Sequence, residues 1–530
     1  MAHNTQIGKN LLEQLMFSLY SNAETIYREY LQNASDAIKD AEMQGILDEG
    51  DGHVTINIDK FHNRVVISDN GTGIPAAEAE ARLKDIAKSS KRADYFAGFY
   101  GIGRLVGAGY CKTLSFKTSA KGENAASEMF YDVDKIREIL ADSSNDMGAA
   151  EVIDHVTTFI SHIPEESDKH YFIVTLDGIL PEYPSLLDED AIHQYLLQVA
   201  PIAYSAVFTN NLVKSSLKDT DQMFSIYYEN LNTVQVSLND IVNIRKPYGL
   251  TVSGTGDEIS CLRFFALTDS EMGDLAWGWY AITPFDRAIP DTDTETNSKV
   301  ITRGIRIRSH NIQIGDESFF DGTEYFKQAR SNKYFNGEIN ILHHNIKPNT
   351  ARDGLANTKE ASRLKELIKD FFNNEMQKVY QNANKLKKEI ERYDTARTEE
   401  AVLFHENGTD LTTEKQEQLD KIKKQKTDAE KAIKTMLAKS DIASKGMQEV
   451  YKVYGNKFND NKEKPFDPKP QNKKAKNDFD EELSSLVEKY GPEGVDLLKK
   501  VFNIMDSRYR NSEALIRGMK NSIIKDLKDL

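Results

Sequence analysis

The sequence predicts an α+β protein that begins with a two-layer α/β sandwich and ends in long helices. HVTINID at 53–59 alternates apolar and polar residues, and RVVISD at 64–69 is rich in β-branched residues, so together they predict a hairpin. Residues 7–20 carry apolar side chains at helical spacing, at Ile7, Leu11, Leu12, Leu15 and Leu19. Helices mixed with antiparallel strands favour a sheet that is covered by helices.

A change of composition marks the C-terminal third of the chain. DEDAIHQYLLQVAPIAYS at 188–205 predicts a helix that leads into a second α/β region with short strands. From Thr358 the chain becomes rich in Lys, Glu, Gln and Leu. Its apolar residues then alternate steps of four and three, which is typical of a coiled coil, at Phe372, Met376, Val379, Ala383, Leu386, Ile390 and Tyr393.

Charge and cysteine content exclude several classes of protein. Lys and Arg total 68 against 83 Asp and Glu, so the net charge of −15 argues against a surface coated in basic residues for nucleic acid. Cys111 and Cys261 lack metal-ligand spacing, which argues against a zinc site or a disulfide framework and favours a reducing compartment. Without a signal peptide or an apolar run of about 18 residues, we expect a cytoplasmic protein that does not enter a membrane.

A polar stripe interrupts the helix predicted for REYLQNASDAIKD at 28–40. Glu29, Asn33 and Asp36 fall within one narrow sector of the helix at about 100° per residue. The opposite sector forms an apolar core face of Tyr27, Leu31, Ala34 and Ile38, and a third sector forms the expected wet face of Arg28, Gln32, Ser35 and Lys39. The stripe is either a second solvated strip or one wall of a functional site.

Two glycine-containing segments follow this helix. ISDNGTGIP at 67–75 places Asp69 at the end of a strand, where its carboxylate can accept a hydrogen bond from an exocyclic amine such as that of adenine. Gly71 and Gly73 allow close approach of backbone to a flat ring, although Asp, Asn and Gly also dominate plain turns.

The second glycine segment is AGFYGIGRLVGAGY at 97–110. Gly98, Gly101 and Gly103 precede an apolar run that predicts the start of a helix, and such turns expose N–H groups that suit phosphate. The segment lacks the Lys-Ser/Thr ending of a P-loop, and a flexible lid hinge is the alternative interpretation.

The three segments, in this order, resemble the N, G1 and G2 boxes of the ATPase superfamily of gyrase, histidine kinases, MutL and the heat-shock protein 90 chaperones. The chaperone branch is the most similar. YSNAETIYREYLQNASDAIKD resembles its first box, and IAKSS at 86–90 resembles its lid motif with Ser90 where glycine is usual. The resemblance covers about residues 5–118, and it implies the Bergerat fold and hydrolysis of ATP.

The resemblance also implies roles for individual residues. Glu29 would be the general base that activates water, and Asn33 would be a ligand of Mg²⁺. Asp69 would read adenine, and Asp36 would orient neighbouring groups. The implied nucleotide-binding set is Asn33, Asp36, Asp69, Gly71, Gly73, Lys88, Gly98, Gly101 and Gly103. One feature departs from the family, which usually has a threonine on a late strand beside adenine, because Thr175 lies one strand position away from the expected face.

A catalytic arginine is expected from the second domain. HHNIKPNTARDGLAN at 343–357 resembles the middle-domain loop of these ATPases, so Arg352 is our candidate. Related phosphoryl transfers use such an arginine to stabilise developing charge. Arg303, Arg306 and Arg308 are rival candidates, and Arg352 would otherwise pair with Asp353 or cap a helix.

The motifs, periodicity and composition together predict five segments. They are an ATP-binding domain with a lid at 1–205, a middle α/β domain at 206–357, a helical hairpin or coiled coil at 358–455, a Pro/Lys-rich linker at 456–480, and a C-terminal helical segment at 481–530 that is suited to dimerisation.

The expected function is that of a Mg²⁺-dependent, homodimeric, chaperone-like ATPase that acts on a protein client through lid closure and N-domain dimerisation. The alternatives are a MutL- or MORC-like clamp on DNA and the ATPase of a bacterial stress or antiviral system. DNA is not the favoured partner, because the basic run PQNKKAKN at 470–477 is more typical of a solvated linker in a chain that is acidic overall.

Overall fold

The computed structural model describes most of the chain in two compact units. The described residues are 8–18, 22–85, 103–285, 287–293, 298–407, 412–439, 443–463 and 486–508, with single residues at 520, 523, 524 and 527. The larger unit comprises Met1–Asp394 and Gln425–Glu463, and the smaller comprises Thr395–Lys424 and Lys464–Leu530. The predicted lid motif and most of the predicted linker lie outside the described residues.

A seven-stranded sheet forms the centre of the N-terminal region. Its strands are β1 (His53–Asp59), β2 (Arg64–Asp69), β3 (Thr113–Ser119), β4 (Ala125–Asp132), β5 (Thr157–Pro164), β6 (Tyr171–Asp177) and β7 (Gln235–Leu238). They lie in the order β5-β4-β3-β6-β2-β1-β7. All neighbours are antiparallel except β7, which runs parallel to β1. This edge strand comes from beyond the boundary that we predicted at residue 205.

In the described part of this region, six α-helices accompany the sheet. They are α1 (Asn10–Glu13), α2 (Thr25–Met43), α3 (Ala76–Lys84), α4 (Val133–Ala141), α5 (Ala149–Val156) and α6 (Glu189–Val199). The predicted core face of α2 is buried, and Tyr27, Leu31 and Ile38 pack in one cluster with apolar residues of the strands. The two-layer α/β sandwich predicted from the sequence is confirmed.

The prediction of a wet face on α2 is wrong. Arg28, Gln32 and Ser35 are 7%, 2% and 0% exposed. The Arg28 guanidinium donates to the carbonyl of Ala351, and the Asn232 amide donates to the Ser35 hydroxyl. Polar partners from distant parts of the chain cover this face, so α2 is enclosed on several sides.

A second sheet follows, with helices on both faces. Its strands are β8 (Cys261–Asp269), β9 (Gly273–Ile282), β10 (Gly304–Ser309), β11 (Ile312–Ile314) and β12 (Asn336–Ile341), in the order β11-β10-β12-β9-β8. Short helices α7 (Ala206–Phe208), α8 (Lys214–Leu217) and α9 (Gln222–Glu229) precede it. Phe208 and Phe224 pack with Trp277 and Trp279 of β9, so both tryptophans are core residues of this region.

Long helices form the rest of the described chain. They are α10 (Lys359–Phe371), α11 (Gln377–Asn407), α12 (Thr413–Leu437), α13 (Lys445–Glu463) and α14 (Val487–Arg508). The apolar seam predicted from Phe372 to Tyr393 is buried. It packs against residues of the second sheet region and of α13, such as Phe326 and Phe458. The predicted C-terminal helices are confirmed. Most of the apolar seam packs against a globular core.

The smaller unit has its own apolar contacts. Leu486, Val495, Phe502 and Ile524 form one buried cluster. Gly491 has φ 70°, which interrupts α14 near its start. Among the described helices, none has both the length and the apolar composition needed to cross a membrane.

A buried charge network stabilises the second sheet. Glu338 of β12 accepts a hydrogen bond from the Lys246 ammonium at 2.6 Å and from Arg308 Nε at 2.7 Å, and all three side chains are almost fully buried. The hydroxyls of Tyr204 and Tyr248 also donate to the Glu338 carboxylate. Burial alone would raise the pKa of Glu338, but Arg308 and Lys246 outweigh it and lower that pKa to about 2.

A Glu338→Ala variant should lower the free energy of unfolding by about 3–5 kcal/mol, because it leaves Lys246 and Arg308 buried without their anion. Urea unfolding followed by circular dichroism measures the change, with Glu366→Ala as the control because that carboxylate is 67% exposed. In the unmodified chain the pKa of Glu338 is depressed from 4.5. The stability that it contributes is therefore present above pH 4.5 and is lost as pH falls towards about 2. Equal effects of the two substitutions would contradict the network's importance.

Candidate active site

The polar stripe of α2 lies against Gly103, the last glycine of the predicted phosphate loop. Glu29 is 5% exposed and Asp36 is 2% exposed, whereas Asn33 is partly exposed. A Cβ added at Gly103 would lie 2.8 Å from Glu29 Oε2. Only glycine therefore allows the backbone to pass this close to the carboxylate without a shift. The sequence segments that carry Glu29 and Gly103 meet as the resemblance implied.

Asp69 ends β2 beside a tight glycine turn. Its side chain is 6% exposed, and its Oδ1 accepts a hydrogen bond from the backbone N–H of Gly71 at 2.9 Å. Gly73 has φ 64°, and a Cβ there would lie 1.8 Å from the carbonyl oxygen of Ser119. In the structure, Gly73 therefore allows its turn to approach the protein's own backbone at Ser119. Its predicted contact with adenine remains a prediction.

We use the name α2–α3 cleft for the region over β6 that lies between α2 and α3. α2 packs over β1 and β2, whereas α3 packs over β3, β4 and β5. In β6, Phe172 pairs with Asp69 of β2 and with Thr118 of β3. Paired side chains lie on the same face of a sheet, so Phe172 and Thr118 lie beside Asp69. Thr175 pairs with Val66, and it lies on the opposite face.

Two residues that the sequence analysis did not select support the Asp69 turn. The Thr118 hydroxyl accepts from the backbone N–H of Ile74 at 2.8 Å and donates to the carbonyl of Tyr171 at 2.9 Å. His170 Nδ1 lies 2.8 Å from the carbonyl oxygen of Gly71. Both residues stand at strand ends in the sequence, which is the one signal that marked them.

Arg352 lies against Glu29. Arg352 Nε is 3.2 Å from Glu29 Oε1, and both side chains are buried. Arg352 has φ 57°, which is an uncommon backbone conformation for a residue with a side chain. Its carbonyl accepts from Gly315 N–H at 2.8 Å, and its N–H donates to the carbonyl of Asn349 at 3.1 Å. The loop therefore holds the guanidinium at the base of α2.

The three rival arginines have other partners. Arg303 pairs with Asp291 and Asp321, and Arg306 lies 3.6 Å from Glu317 Oε2. Arg308 belongs to the buried Glu338 network. Of these candidates, Arg352 is the one that the structure pairs with Glu29.

The charge of Asp36 acts on His310, which lies in the turn between β10 and β11. Burial lowers the pKa of His310 in this turn, and the charge of Asp36 acts in the opposite direction. Lys39 and Arg352 also influence His310. The expectation that Asp36 orients neighbouring groups rather than contacts nucleotide agrees with this position, and its role remains a prediction. Lys88, Gly98 and Gly101 lie outside the described residues, so their roles also remain predictions.

The side chains around Glu29 fit a magnesium ion only if a nucleotide supplies most of its ligands. Within the described ranges, no group of three or more His, Cys, Asp and Glu side chains converges on a point where a metal could sit. Asn33 offers one neutral amide oxygen on the stripe. Mg²⁺ commonly binds through one protein oxygen together with phosphates and water.

A cavity of about 550 Å³ lies elsewhere in the N-terminal region. Its lining includes Phe17, Tyr110, Arg137, Leu140 and Tyr183. None of the predicted site residues lines it, so its size does not bear on the site at Glu29.

Comparison with known proteins identifies the N-terminal region. Residues 20–159 match the family described as histidine kinase-, DNA gyrase B-, and HSP90-like ATPase. The chain contains an ATPase domain of this family. The matched residues include the Glu29 stripe, the Asp69 turn and the glycine segment, and the relationship predicted from these motifs is confirmed.

Several curated relatives match part of this chain. The chaperone protein HtpG of Bordetella pertussis is 41% identical over 99 residues, which are 18% of this chain and 15% of the relative. HtpG of Burkholderia lata is 29% identical over 206 residues, 34% of this chain and 32% of the relative. HtpG of Escherichia coli O1:K1 / APEC is 31% identical over 142 residues, 23% of each chain. The chain thus spans less than a third of the length of these relatives.

Proposed function

We propose that this protein is a Mg²⁺-dependent ATPase of the heat-shock protein 90 type that acts as a chaperone-like conformational machine. The observation that carries the proposal is the 3.2 Å ion pair between Glu29, in the ATPase domain, and Arg352, which follows the second sheet. A base and a cation from different parts of the chain meet where the resemblance requires the γ-phosphate of ATP to react.

Hydrolysis proceeds by attack of a water molecule on the γ-phosphorus. The Glu29 carboxylate orients this water and accepts its proton, while the bond between the γ-phosphorus and the bridging oxygen breaks to give ADP and phosphate. Asp69 holds the adenine end of the nucleotide. When it is bound with the nucleotide through Asn33, Mg²⁺ neutralises part of the phosphate charge.

Arg352 couples the chemistry to the second domain. Its guanidinium stabilises the negative charge that develops on the transferred phosphoryl group. The loop that holds it is bonded to Gly315, directly after β11. The rate of hydrolysis therefore depends on how the second sheet docks against α2.

ATP-driven closure of the lid, N-domain dimerisation and action on a protein client complete the proposal. The support for these steps is the partial similarity to proteins named as chaperones. The C-terminal helices would supply constitutive contacts between two copies of the chain.

The test is suppression of aggregation of a heat-unfolded protein, followed by light scattering with and without ATP. We expect ATP-dependent suppression by the full chain and its loss in a Glu29→Ala variant. In parallel, binding of labelled duplex DNA is measured at about physiological salt in the presence of a non-hydrolysable ATP analogue. This salt concentration is needed because binding through phosphate contacts alone weakens as salt is added. Nucleotide-dependent, salt-resistant retention of DNA without suppression of aggregation would overturn the chaperone proposal in favour of a clamp.

A further inference from the structure

Arg104 is a further arginine at the candidate site, in addition to Arg28 and Arg352, and the proposed hydrolysis does not use it. It follows Gly103 directly, and its carbonyl oxygen accepts a hydrogen bond from the Tyr30 hydroxyl at 2.9 Å. The backbone N–H of Gly107 donates to the same hydroxyl at 3.1 Å. Tyr30 belongs to α2, so these two bonds hold the backbone around Arg104 against the helix that carries Glu29.

The guanidinium of Arg104 is buried without hydrogen-bond partners for two of its nitrogens. In the described part of the chain, neither Nε nor Nη2 has a partner, although both atoms are shielded from solvent. Burial lowers the pKa of Arg104, while Tyr131 and Asp85 act to raise it and Arg82 to lower it further. A buried cation with unsatisfied donors destabilises a fold unless an anion binds to it.

Arg104 and Tyr131 lie close enough to interact electrostatically, so the register of Tyr131 locates this guanidinium in the α2–α3 cleft. Its neighbour Tyr131 pairs with Leu114, and Leu114 pairs with Leu176 of β6. Asp69, in contrast, pairs with Phe172 of β6. The four residue steps from Phe172 to Leu176 separate the two ends of the cleft by about 13 Å.

Glu29 and Gly103 lie at the same end of the cleft as Arg104. A Cβ at Gly107, in the turn that follows Arg104, would lie 3.0 Å from Leu176 Cδ2. The Asp69 turn lies at the other end, where Thr72 N–H donates to the carbonyl of Ala37. A nucleotide with adenine at Asp69 and its γ-phosphate at Glu29 would extend its phosphates towards the Arg104 end.

We propose that Arg104 binds the phosphate chain of the nucleotide through the two buried, unpartnered nitrogens of its guanidinium, Nε and Nη2. This proposal rests on the ATPase function proposed above and deepens it by assigning a phosphate ligand within the first domain. Arg104 then determines how tightly the polyphosphate binds, and Arg352 determines how fast it reacts. A guanidinium suits this role because its planar donors match phosphate oxygens in pairs.

The experiment measures dissociation constants of adenosine, AMP, ADP and ATP for the full chain by calorimetry at constant Mg²⁺. Arg104→Gln should leave adenosine binding within about twofold and weaken ATP binding by about tenfold to a hundredfold, as expected for loss of charge-assisted hydrogen bonds. The loss should increase with the number of phosphates. Arg82→Gln is the matched control, because Arg82 is a neighbouring arginine whose side chain is 48% exposed.

Asp69→Asn keeps this test separate from the test of the ATPase function. This substitution should weaken the binding of adenosine and of ATP to the same degree, because it acts on the adenine end of the nucleotide. If the unmodified chain binds neither adenosine nor ATP, the ATPase proposal fails, and the role of Arg104 fails with it. Suppose that Asp69→Asn weakens the binding of all four ligands. If Arg104→Gln then binds ATP normally, or loses affinity for adenosine and ATP equally, the role of Arg104 alone is overturned.

The Gln variant must fold for these comparisons, which circular dichroism checks. If it does not, Arg104→Met removes the charge with a flexible apolar side chain and replaces it in the same series. The same selective loss of ATP over adenosine is then expected, and its absence overturns the proposal.

Discussion

An Arg352→Ala variant is expected to hydrolyse ATP at least about 10³-fold more slowly than the unmodified chain, with ATP affinity changed by no more than about twofold. The magnitude follows from related enzymes, in which an arginine that stabilises the transferred phosphoryl group contributes about 10³–10⁵ to the rate. Affinity survives because the adenine and phosphate contacts of the ATPase domain remain. Single-turnover hydrolysis and calorimetric titration of ATP measure the two quantities.

Arg363→Ala is the control for this substitution, because Arg363 lies in the nearby helix α10 and its side chain is 38% exposed. It should leave both the rate and the affinity unchanged. A loss of ATP affinity as large as the loss of rate would contradict a role restricted to the transition state. It would instead indicate that Arg352 holds the substrate, or that its ion pair with Glu29 shapes the binding site.

A Glu29→Ala variant should bind ATP and hydrolyse it about 10²–10⁴-fold more slowly, because general-base catalysis contributes about that factor. The nucleotide can still bind, since Asp69 and Arg104 are untouched. Hydrolysis is measured as phosphate release, and binding by calorimetry. Glu24→Ala, at the start of the same helix, serves as the control and should retain the normal rate.

Normal hydrolysis by the Glu29 variant would remove the central assignment of this site. Stability needs a separate check, because Glu29 is buried and pairs with Arg352 at 3.2 Å and with Arg28 at 3.7 Å. A Glu29→Gln variant keeps the shape of the side chain, and it should show the same loss of hydrolysis. Loss in both variants with intact thermal unfolding assigns the effect to the carboxylate.

The fold of the ATPase domain could be predicted because its signals are local. The alternation at 53–59 and the helical stripe of α2 each depend on a period within one element, and both are present as predicted. The three motifs also lie within a short stretch, which made their order informative. Arg352 was found because its loop resembles that of a known family and not from any periodicity.

The faces of α2 could not all be predicted, because their partners lie far along the chain. Periodicity separates apolar from polar residues, but it does not reveal whether a polar face meets water or protein. The sequence placed Arg28 and Ser35 on a solvent-exposed face, yet Arg28 contacts Ala351 and Ser35 contacts Asn232. The buried Glu338 network escaped notice for the same reason, since charged side chains normally indicate a surface.

The edge strand β7 has a consequence for how this protein is made. It runs parallel to β1, and 175 residues separate the end of β1, Asp59, from the start of β7, Gln235. Until residue 238 has left the ribosome, β1 presents an unpaired row of backbone groups, and such an edge invites pairing with another nascent chain. A gene fragment that stops at residue 205 would leave that edge open permanently.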